Sequence, residues 1–110
     1  MKTIDGKRMK ELLDRKQACA VDVDSKIDFK KSHILGATNI PYNEKNFIQK
    51  VEQSFIKKNE NVVLCASKKL APQLNKLGQE LESAGFENVY QYQAGPADWK
   101  ESDLNIQKQP

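Results

Sequence analysis

The clearest pattern in the chain is an apolar run that ends at a cysteine and leads into regularly spaced leucines. Residues 62–64 are continuously apolar, which is typical of a buried strand. Beyond Cys65 the apolar positions recur at helical spacing and predict a helix from about residue 70 to residue 83. The face that this helix would bury consists of Leu70, Leu74, Leu77 and Leu81. Cys65 therefore lies where a predicted central strand meets a predicted helix.

The chain before this strand alternates between helical and extended patterns. In order, we predict an extended start at 3–4, a helix over 6–16, a strand over 18–23, a polar connection over 25–31 and an extended piece at 39–40. A second helix is expected to begin with Asn43 as its N-cap and to run to about Lys57. Its apolar face would contain Phe47, Ile48, Val51 and Phe55.

The chain after the leucine helix predicts one more strand and a short helix. Gly85 is the expected left-handed terminator of the helix, and Phe86 is expected to pack back on its last turn. The strand covers 89–93, with the valine and glutamines on one face and the two tyrosines on the other. The segment 94–96 should turn into a short helical piece that carries Trp99. We expect the polar tail from Ser102 to be loose.

Strands that alternate with helices indicate βαβ units. The predicted fold class is therefore α/β, a three-layer α/β/α sandwich with a mostly parallel central sheet. In such sheets ligands bind beyond the carboxyl ends of the strands, which is where Cys65 is placed. At 110 residues we expect a single domain over 1–110, with its core at about 4–104 and a polar tail at 105–110.

A cysteine at such a junction is suited to nucleophilic chemistry. Backbone N–H groups of the loop and the dipole of the following helix can favour a negative charge on the sulfur. Lys68 and Lys69 add positive potential, so we expect the pKa of Cys65 to be lowered and its thiolate to be enriched. The alternative interpretation is that Cys65 is a small core residue that ends a strand, since free cysteine is among the most buried residue types.

Composition and charge exclude several classes of protein. The 38% hydrophobic and 30% charged content is that of an ordinary globular protein, and no apolar stretch approaches the ~20 residues that span a bilayer. With no apolar signal segment at the N-terminus, we expect a cytoplasmic location without membrane binding. The net charge of +3 is spread over the chain, so nucleic-acid binding is not indicated.

Local charge matters more than net charge for the candidate site. The charged residues between Phe55 and Leu70 predict a positive environment for Cys65 that suits a small anionic substrate; they are Lys57, Lys58, Glu60, Lys68 and Lys69. The alternative is that this lysine-rich segment is only a solvated surface.

Few other residues in the sequence could bind a metal or a cofactor. Two cysteines 46 positions apart and one histidine, His33, form no metal-ligand cluster, and no glycine-rich nucleotide loop is present. We therefore expect no cofactor and no metal. Cys19, in an apolar context, is interpreted as a buried strand residue rather than as a second thiol acting with Cys65.

Four segments, in this order, resemble the single-domain rhodanese-like sulfurtransferases. Residues 21–23, Val-Asp-Val, are similar to the family's signature at a strand end, and residues 33–41, His-Ile-Leu-Gly-Ala-Thr-Asn-Ile-Pro, to its most specific segment. Residues 62–65 resemble the strand that leads to the family's catalytic cysteine, and 85–89 with Gly95 and Trp99 resemble its closing segment. The resemblance covers about 4–104.

The resemblance implies a sulfur-transfer activity. In the family, a cysteine takes sulfur from thiosulfate or a persulfide, holds it as a cysteine persulfide and passes it to a thiophilic acceptor. That catalytic role falls on Cys65. Backbone amides of the next residues would bind the sulfur: Ala66, Ser67, Lys68, Lys69 and Leu70. The implied partners are a small anionic sulfur donor and a thiol or cyanide acceptor, including a protein thiol. His33 is expected to be a hydrogen-bonded framework residue rather than a catalytic base.

The loop also departs from the family pattern. Lys68 stands at the glycine position, Leu70 at the arginine position and Asp24 where an arginine follows the Val-Asp-Val signature. Two functions therefore stay open, a sulfurtransferase that uses Cys65 as covalent nucleophile and a weakly active or non-catalytic sulfur-carrier or binding module. A cysteine phosphatase is not expected, because the arginine such enzymes need six residues after the cysteine is replaced by Ala71.

Overall fold

The structure is a computed structural model that describes residues 1–42, 46–93, 98, 99, 102 and 104–107. The helices are α1 (Gly6–Asp14), α2 (Lys26–Lys31), α3 (Phe47–Gln53) and α4 (Leu74–Ser83). The strands are β1 (Lys2–Thr3), β2 (Cys19–Asp22), β3 (His33–Ile34), β4 (Thr38–Asn39), β5 (Asn61–Cys65), β6 (Asn88–Tyr92) and β7 (Ile106–Gln107). A 3₁₀ turn over Lys68–Gln73 connects β5 to α4. Across these ranges, every helix is too short or too polar to cross a membrane.

Five strands form one parallel sheet in the order β1-β6-β5-β2-β4. The strand that ends in Cys65 is the central one, and its neighbours place Asp22 of β2 and Tyr92 of β6 level with that cysteine. A separate antiparallel ribbon pairs β3 with β7. The prediction of a mostly parallel sheet within an α/β sandwich is confirmed.

Two apolar layers cover the two faces of this sheet. The layer on the α4 side includes residues of α3, α4 and the sheet, among them Val51, Leu74, Leu81, Val62 and Leu64. The layer on the α1 side includes Met9, Leu12, Val63, Cys65, Tyr92 and Trp99. Side chains alternate between faces along a strand, so the side chain of Cys65 points to the α1 side, away from the leucine helix.

The leucine helix ends as the sequence predicts. Gly85 has a φ of +100°, a left-handed conformation that glycine adopts without strain. The backbone N–H of Phe86 donates to the carbonyl oxygen of Leu81 at 3.1 Å, and the Phe86 ring is buried in the α4-side layer. The beginning of the helix differs from the prediction, because a 3₁₀ turn that contains Pro72 covers residues 68–73 and the α-helix starts only at Leu74.

The predicted polar connection over 25–31 is wrong, because Lys26–Lys31 form α2. The Ser25 hydroxyl oxygen accepts a hydrogen bond from the backbone N–H of Asp28 at 3.2 Å and caps the helix. This helix buries none of its residues, so it carries no apolar periodicity that could have revealed it.

The predicted helix from Asn43 to about Lys57 is shorter than expected. It ends at Gln53 because Ser54 adopts an extended conformation, and its hydroxyl donates to the carbonyl oxygen of Val51 at 2.5 Å. Ile56 is then buried, whereas Phe55 is 73% exposed instead of lying on the apolar face. The predicted N-cap, Asn43, lies outside the described residues.

The predicted loose tail is wrong for residues 104–107. Leu104 is buried in the α1-side layer, and β7 pairs with β3, so that Ile106 lies opposite Ile34. The backbone N–H of Leu35 also donates to the carbonyl oxygen of Asn105 at 2.8 Å. Trp99 is buried as a short helical turn begins, while the predicted turn at 94–96 lies outside the described residues.

Candidate functional site

Cys65 ends the central strand at the carboxyl edge of the sheet, which is the position that the sequence predicts. Its thiol is not open to solvent. The side chain is 0% exposed, packs in the α1-side layer, and donates from Sγ to the carbonyl oxygen of Val21 at 3.7 Å. In this conformation the sulfur is part of the hydrophobic core.

The electrostatic environment disfavours the Cys65 thiolate. Burial raises the pKa of Cys65 well above its ordinary value, and the negative charges of Asp22 and Asp24 raise it further. The expected lowering of this pKa is therefore wrong. Lys57 and Lys58 precede β5 and lie at its amino end, away from Cys65, and Lys68 and Lys69 are exposed. The charges that shift the pKa of the thiol are those of Asp22 and Asp24.

Two aspartates at the end of β2 form the polar part of this site: Asp22, its last residue, and Asp24, two residues later. Asp24 is 1% exposed, and its carboxylate accepts from the backbone N–H and from the hydroxyl of Ser67, each at 2.9 Å. Asp22 is 0% exposed, and its Oδ1 accepts from the backbone N–H of Asp24 at 2.9 Å. Together they connect the end of β2 to the loop after Cys65.

Asp22 itself is poorly solvated. Burial and the nearby negative charge of Asp24 raise the pKa of Asp22 to about 7, although the hydrogen bond from the Asp24 backbone opposes this rise. Within the described part of the chain, its second oxygen, Oδ2, is one of two buried side-chain atoms that lack a hydrogen-bond partner. The other is Nε1 of Trp99, which lies in the α1-side layer with Cys65.

The loop that should bind the sulfur is partly occupied by the protein's own groups. The backbone N–H of Ser67 is taken by Asp24, and that of Leu70 donates to the carbonyl oxygen of Ser67 at 3.1 Å. Ala66 is buried, whereas Lys68 and Lys69 are exposed. The binding roles predicted for residues 66–70 stay predictions, and in this conformation they require Asp24 to release Ser67.

His33 has the framework role that was expected. Its Nδ1 donates to the carbonyl oxygen of Phe29 at 2.6 Å, and its ring stacks on the Phe29 ring with 3.6 Å between centroids. Its Nε2 lies 3.3 Å from Oε1 of Gln107 in β7. The histidine thus links α2 to the β3–β7 ribbon and is not directed at Cys65.

Cys19 lies apart from Cys65 in the sheet. It begins β2, level with Val62, three positions before the residue that faces Cys65, and it packs against the α4-side layer. Both cysteines are free. The Cys19 thiol donates to Oε2 of Glu60 at 3.1 Å, and burial together with Glu60 raises its pKa to about 11. The interpretation of Cys19 as a strand residue that does not act with Cys65 agrees with this position, although Cys19 is half-buried rather than buried.

Sequence reasoning did not identify the two aspartates or Tyr92 as neighbours of Cys65. Tyr92 ends β6 level with Cys65, and its hydroxyl donates to the carboxylate of Asp98. A usable signal was present for the aspartates, because parallel strands end at the same edge and both aspartates lie near the end of the strand predicted over 18–23. Among the described side chains, no three His, Cys, Asp or Glu residues come together in a way that could hold a metal ion.

The fold and the position of Cys65 define a parallel-sheet α/β protein whose candidate site lies at the carboxyl edge of the sheet, where proteins of this class bind ligands. The family model of the rhodanese-like domain matches residues 5–102. The chain therefore belongs to the rhodanese-like family, a family of sulfur-transfer proteins.

Solved structures show the same fold at low sequence identity. The Alr3790 protein from Anabaena superposes with a TM-score of 0.83 at 22% identity, over 96% of this chain and 92% of that chain. A thiosulfate sulfurtransferase from Pseudomonas aeruginosa gives 0.81 at 16% identity, over 99% of this chain and 20% of its own length. An EanB variant, whose complex holds ergothioneine covalently linked to a persulfide, gives 0.78 at 18% identity, over 97% of this chain and 28% of its own. The curated proteins give no match.

Proposed function

We propose that this chain is a weakly active rhodanese-like sulfur carrier in which Cys65 accepts one sulfur atom when the loop after it opens. The observation that carries this proposal is the position of Cys65 at the end of the central strand with its side chain 0% exposed. The position is that of a sulfur-accepting residue in the family, and the burial opposes rapid turnover. A persulfide donor would transfer its outer sulfur to the Cys65 thiolate and leave as a thiol.

Two features of the site support slow chemistry. The thiolate is the reactive form of cysteine, and burial beside two carboxylates keeps Cys65 protonated. The loop amide of Ser67 is also held by Asp24 and must be released before it can bind a ligand. Each cycle therefore requires both an opening of the loop and the loss of a proton from the Cys65 thiol, whose pKa is raised.

An efficient sulfurtransferase is the second candidate. It is favoured by the cysteine at the strand end and by the fold shared with a thiosulfate sulfurtransferase from Pseudomonas aeruginosa. In that reaction Cys65 would displace sulfite from thiosulfate, and cyanide would then remove the sulfur as thiocyanate and restore the thiolate.

Two measurements separate these candidates. Thiocyanate formation from thiosulfate and cyanide is expected to be slow, and intact-mass analysis after treatment with a small persulfide should show one added sulfur atom in the Cys19→Ser variant. The Cys65→Ser variant, in which Cys19 is the control thiol, should gain none. Rapid thiocyanate formation that Cys65→Ser abolishes would establish the second candidate instead. Failure of the Cys19→Ser variant to gain sulfur would leave only a binding role.

A further inference from the structure

Asp24 occupies the place in the loop where an anion would find its hydrogen-bond donors. Its two carboxylate oxygens accept from the backbone N–H and the hydroxyl of Ser67, at 2.9 Å each, and the residue is 1% exposed. Asn39 also donates from its side-chain nitrogen to the backbone carbonyl oxygen of Asp24 at 2.9 Å. Asp24 is thus fixed through both its backbone and its side chain, and its carboxylate contacts Ser67, which lies two residues after Cys65.

The carboxylate of Asp24 also places a negative charge near the sulfur of Cys65. Asp24 is nearly inaccessible to water, so its charge is weakly screened, and an anion entering the loop would meet that charge at close range. Asp24 also occupies the Ser67 donors that such an anion would use. The repulsion by the Asp24 charge and the occupation of the Ser67 donors both disfavour the binding of an anion in the loop.

We infer that Asp24 is a specificity-determining residue that excludes anionic sulfur donors, such as thiosulfate, from Cys65 and leaves the site selective for uncharged ones, such as an alkyl persulfide in its protonated form. This inference rests on the proposed role of Cys65 as the sulfur-accepting residue. In such a transfer the Cys65 thiolate attacks the outer sulfur of the protonated alkyl persulfide. A bond from Cys65 to that sulfur forms, the sulfur–sulfur bond of the donor breaks, an alkyl thiolate leaves, and Cys65 is left as a persulfide. No net oxidant is required.

Two variants separate the charge of Asp24 from its role in holding the loop. Asp24→Asn can keep both contacts, with Oδ1 accepting from the Ser67 N–H and Nδ2 donating to the Ser67 hydroxyl, but it carries no charge. Asp24→Ala loses both contacts and the charge. Asp14→Asn removes an equal charge from the exposed end of α1 and serves as the control. All three are made in the Cys19→Ser background, so that Cys65 is the sole thiol.

The measurement is the rate of Cys65 alkylation by iodoacetamide, which is neutral, and by iodoacetate, which is anionic and has the same reactive carbon. We expect Asp24→Asn to lower the ratio of the neutral to the anionic rate by roughly tenfold, since one unit charge at short range in a poorly solvated site has an effect of this size. Asp14→Asn should leave the ratio unchanged. Thiosulfate should likewise add sulfur faster to Asp24→Asn than to its parent.

An unchanged ratio in Asp24→Asn would overturn the inference. The inference would also be overturned if Asp24→Ala increased both alkylation rates equally and neither variant changed their ratio, because Asp24 would then only hold the loop closed. Alkylation involves no sulfur transfer, so the ratio of the two alkylation rates tests the role of Asp24 whether or not Cys65 accepts sulfur from a persulfide. The two proposals are therefore tested separately.

Discussion

The two cysteines of this chain lie on neighbouring parallel strands, one where a strand begins and the other where a strand ends. Cys19 is half-buried and donates to Glu60, whereas Cys65 is fully buried and donates to a backbone carbonyl. Burial and nearby carboxylates raise the pKa of both thiols. A position at the carboxyl end of a strand therefore does not by itself make a thiol reactive.

The difference between them lies in what must move before each thiol can react. Cys19 already contacts solvent, and its thiolate is opposed mainly by partial burial and by one carboxylate on the surface. Cys65 is enclosed by an apolar layer, and the loop beside it is tied to Asp24 by two hydrogen bonds. Reactivity at Cys19 depends on proton loss, whereas reactivity at Cys65 depends on proton loss and on local opening.

The largest expected effect is on labelling of the two thiols in the native protein. Because Cys65 must wait for an opening, Cys19 should react with iodoacetamide about 100-fold faster, which corresponds to an opening free energy of about 2.7 kcal/mol. Peptide mass analysis after timed labelling measures both rates in one sample. In denaturant the two rates should become similar. Equal rates in the native protein would show that Cys65 is accessible and would contradict the comparison.

The second effect is the pH dependence that Asp22 gives to stability. Its pKa is about 7 in the folded protein and ordinarily about 3.9 in an unfolded chain, so the folded state binds the proton more tightly. The stability that this proton confers is present below about pH 4 and is lost as pH rises toward and through 7. Between pH 5 and pH 8 this loss should amount to about 2 kcal/mol.

The Asp22→Asn variant tests that expectation, because it has no carboxyl to titrate. Its free energy of unfolding in urea, relative to the parent protein, should increase by about 2 kcal/mol from pH 5 to pH 8. The free energy of unfolding of Asp14→Asn, a substitution at an exposed position, should change with pH as that of the parent protein does over the same range. If the stability of Asp22→Asn also changes with pH as that of the parent protein does, the pKa of Asp22 is close to its ordinary value and the raised value assigned to it is wrong.

Local pattern was sufficient to predict much of the fold and the location of the candidate site. The apolar run before Cys65, the leucine spacing and Gly85 each depend on neighbours within one turn or strand, and each appears in the structure. Some predictions failed on local features, such as α2, whose cap is Ser25, and others failed because the deciding contact came from a distant segment. Residues 104–107 were expected to be loose because their partner strand, His33–Ile34, lies some 70 positions away.

The prediction of a positive environment for Cys65 also failed because the deciding groups come from a distant segment. Lys57 and Lys58 are close to it in sequence, but a strand of five residues separates them from it in space. Asp22 and Asp24 are over 40 positions away and arrive through the pairing of β2 with β5. Sequence distance is a poor guide to electrostatics in a parallel sheet, where groups that share an edge come from separate βαβ units.

A third prediction concerns the stability contribution of each thiol. Cys65→Ser places a hydroxyl within the α1-side core and should lower the free energy of unfolding by about 1–2 kcal/mol. Cys19→Ser, at the half-buried start of β2, should cost less than about 0.5 kcal/mol, because water can still reach the hydroxyl. Urea denaturation followed by circular dichroism measures both. A larger cost for Cys19→Ser would reverse the assignment of which thiol belongs to the core.

The smallest expected effect concerns Glu60 and the half-buried thiol. Glu60 raises the pKa of Cys19 both by accepting its hydrogen bond and by its charge, although burial is the larger cause. Glu60→Gln should therefore lower that pKa only part of the way toward its ordinary value. At pH 8 the labelling rate of Cys19 should rise about threefold, since the fraction of thiolate increases while access stays the same. Labelling of Cys65 should not change, because Glu60 lies at the opposite end of β5. The substitution Glu11→Gln, at a partly exposed position of α1, provides the control. A comparable increase in that variant would show that general surface charge, rather than the Glu60 contact, governs the reactivity of Cys19.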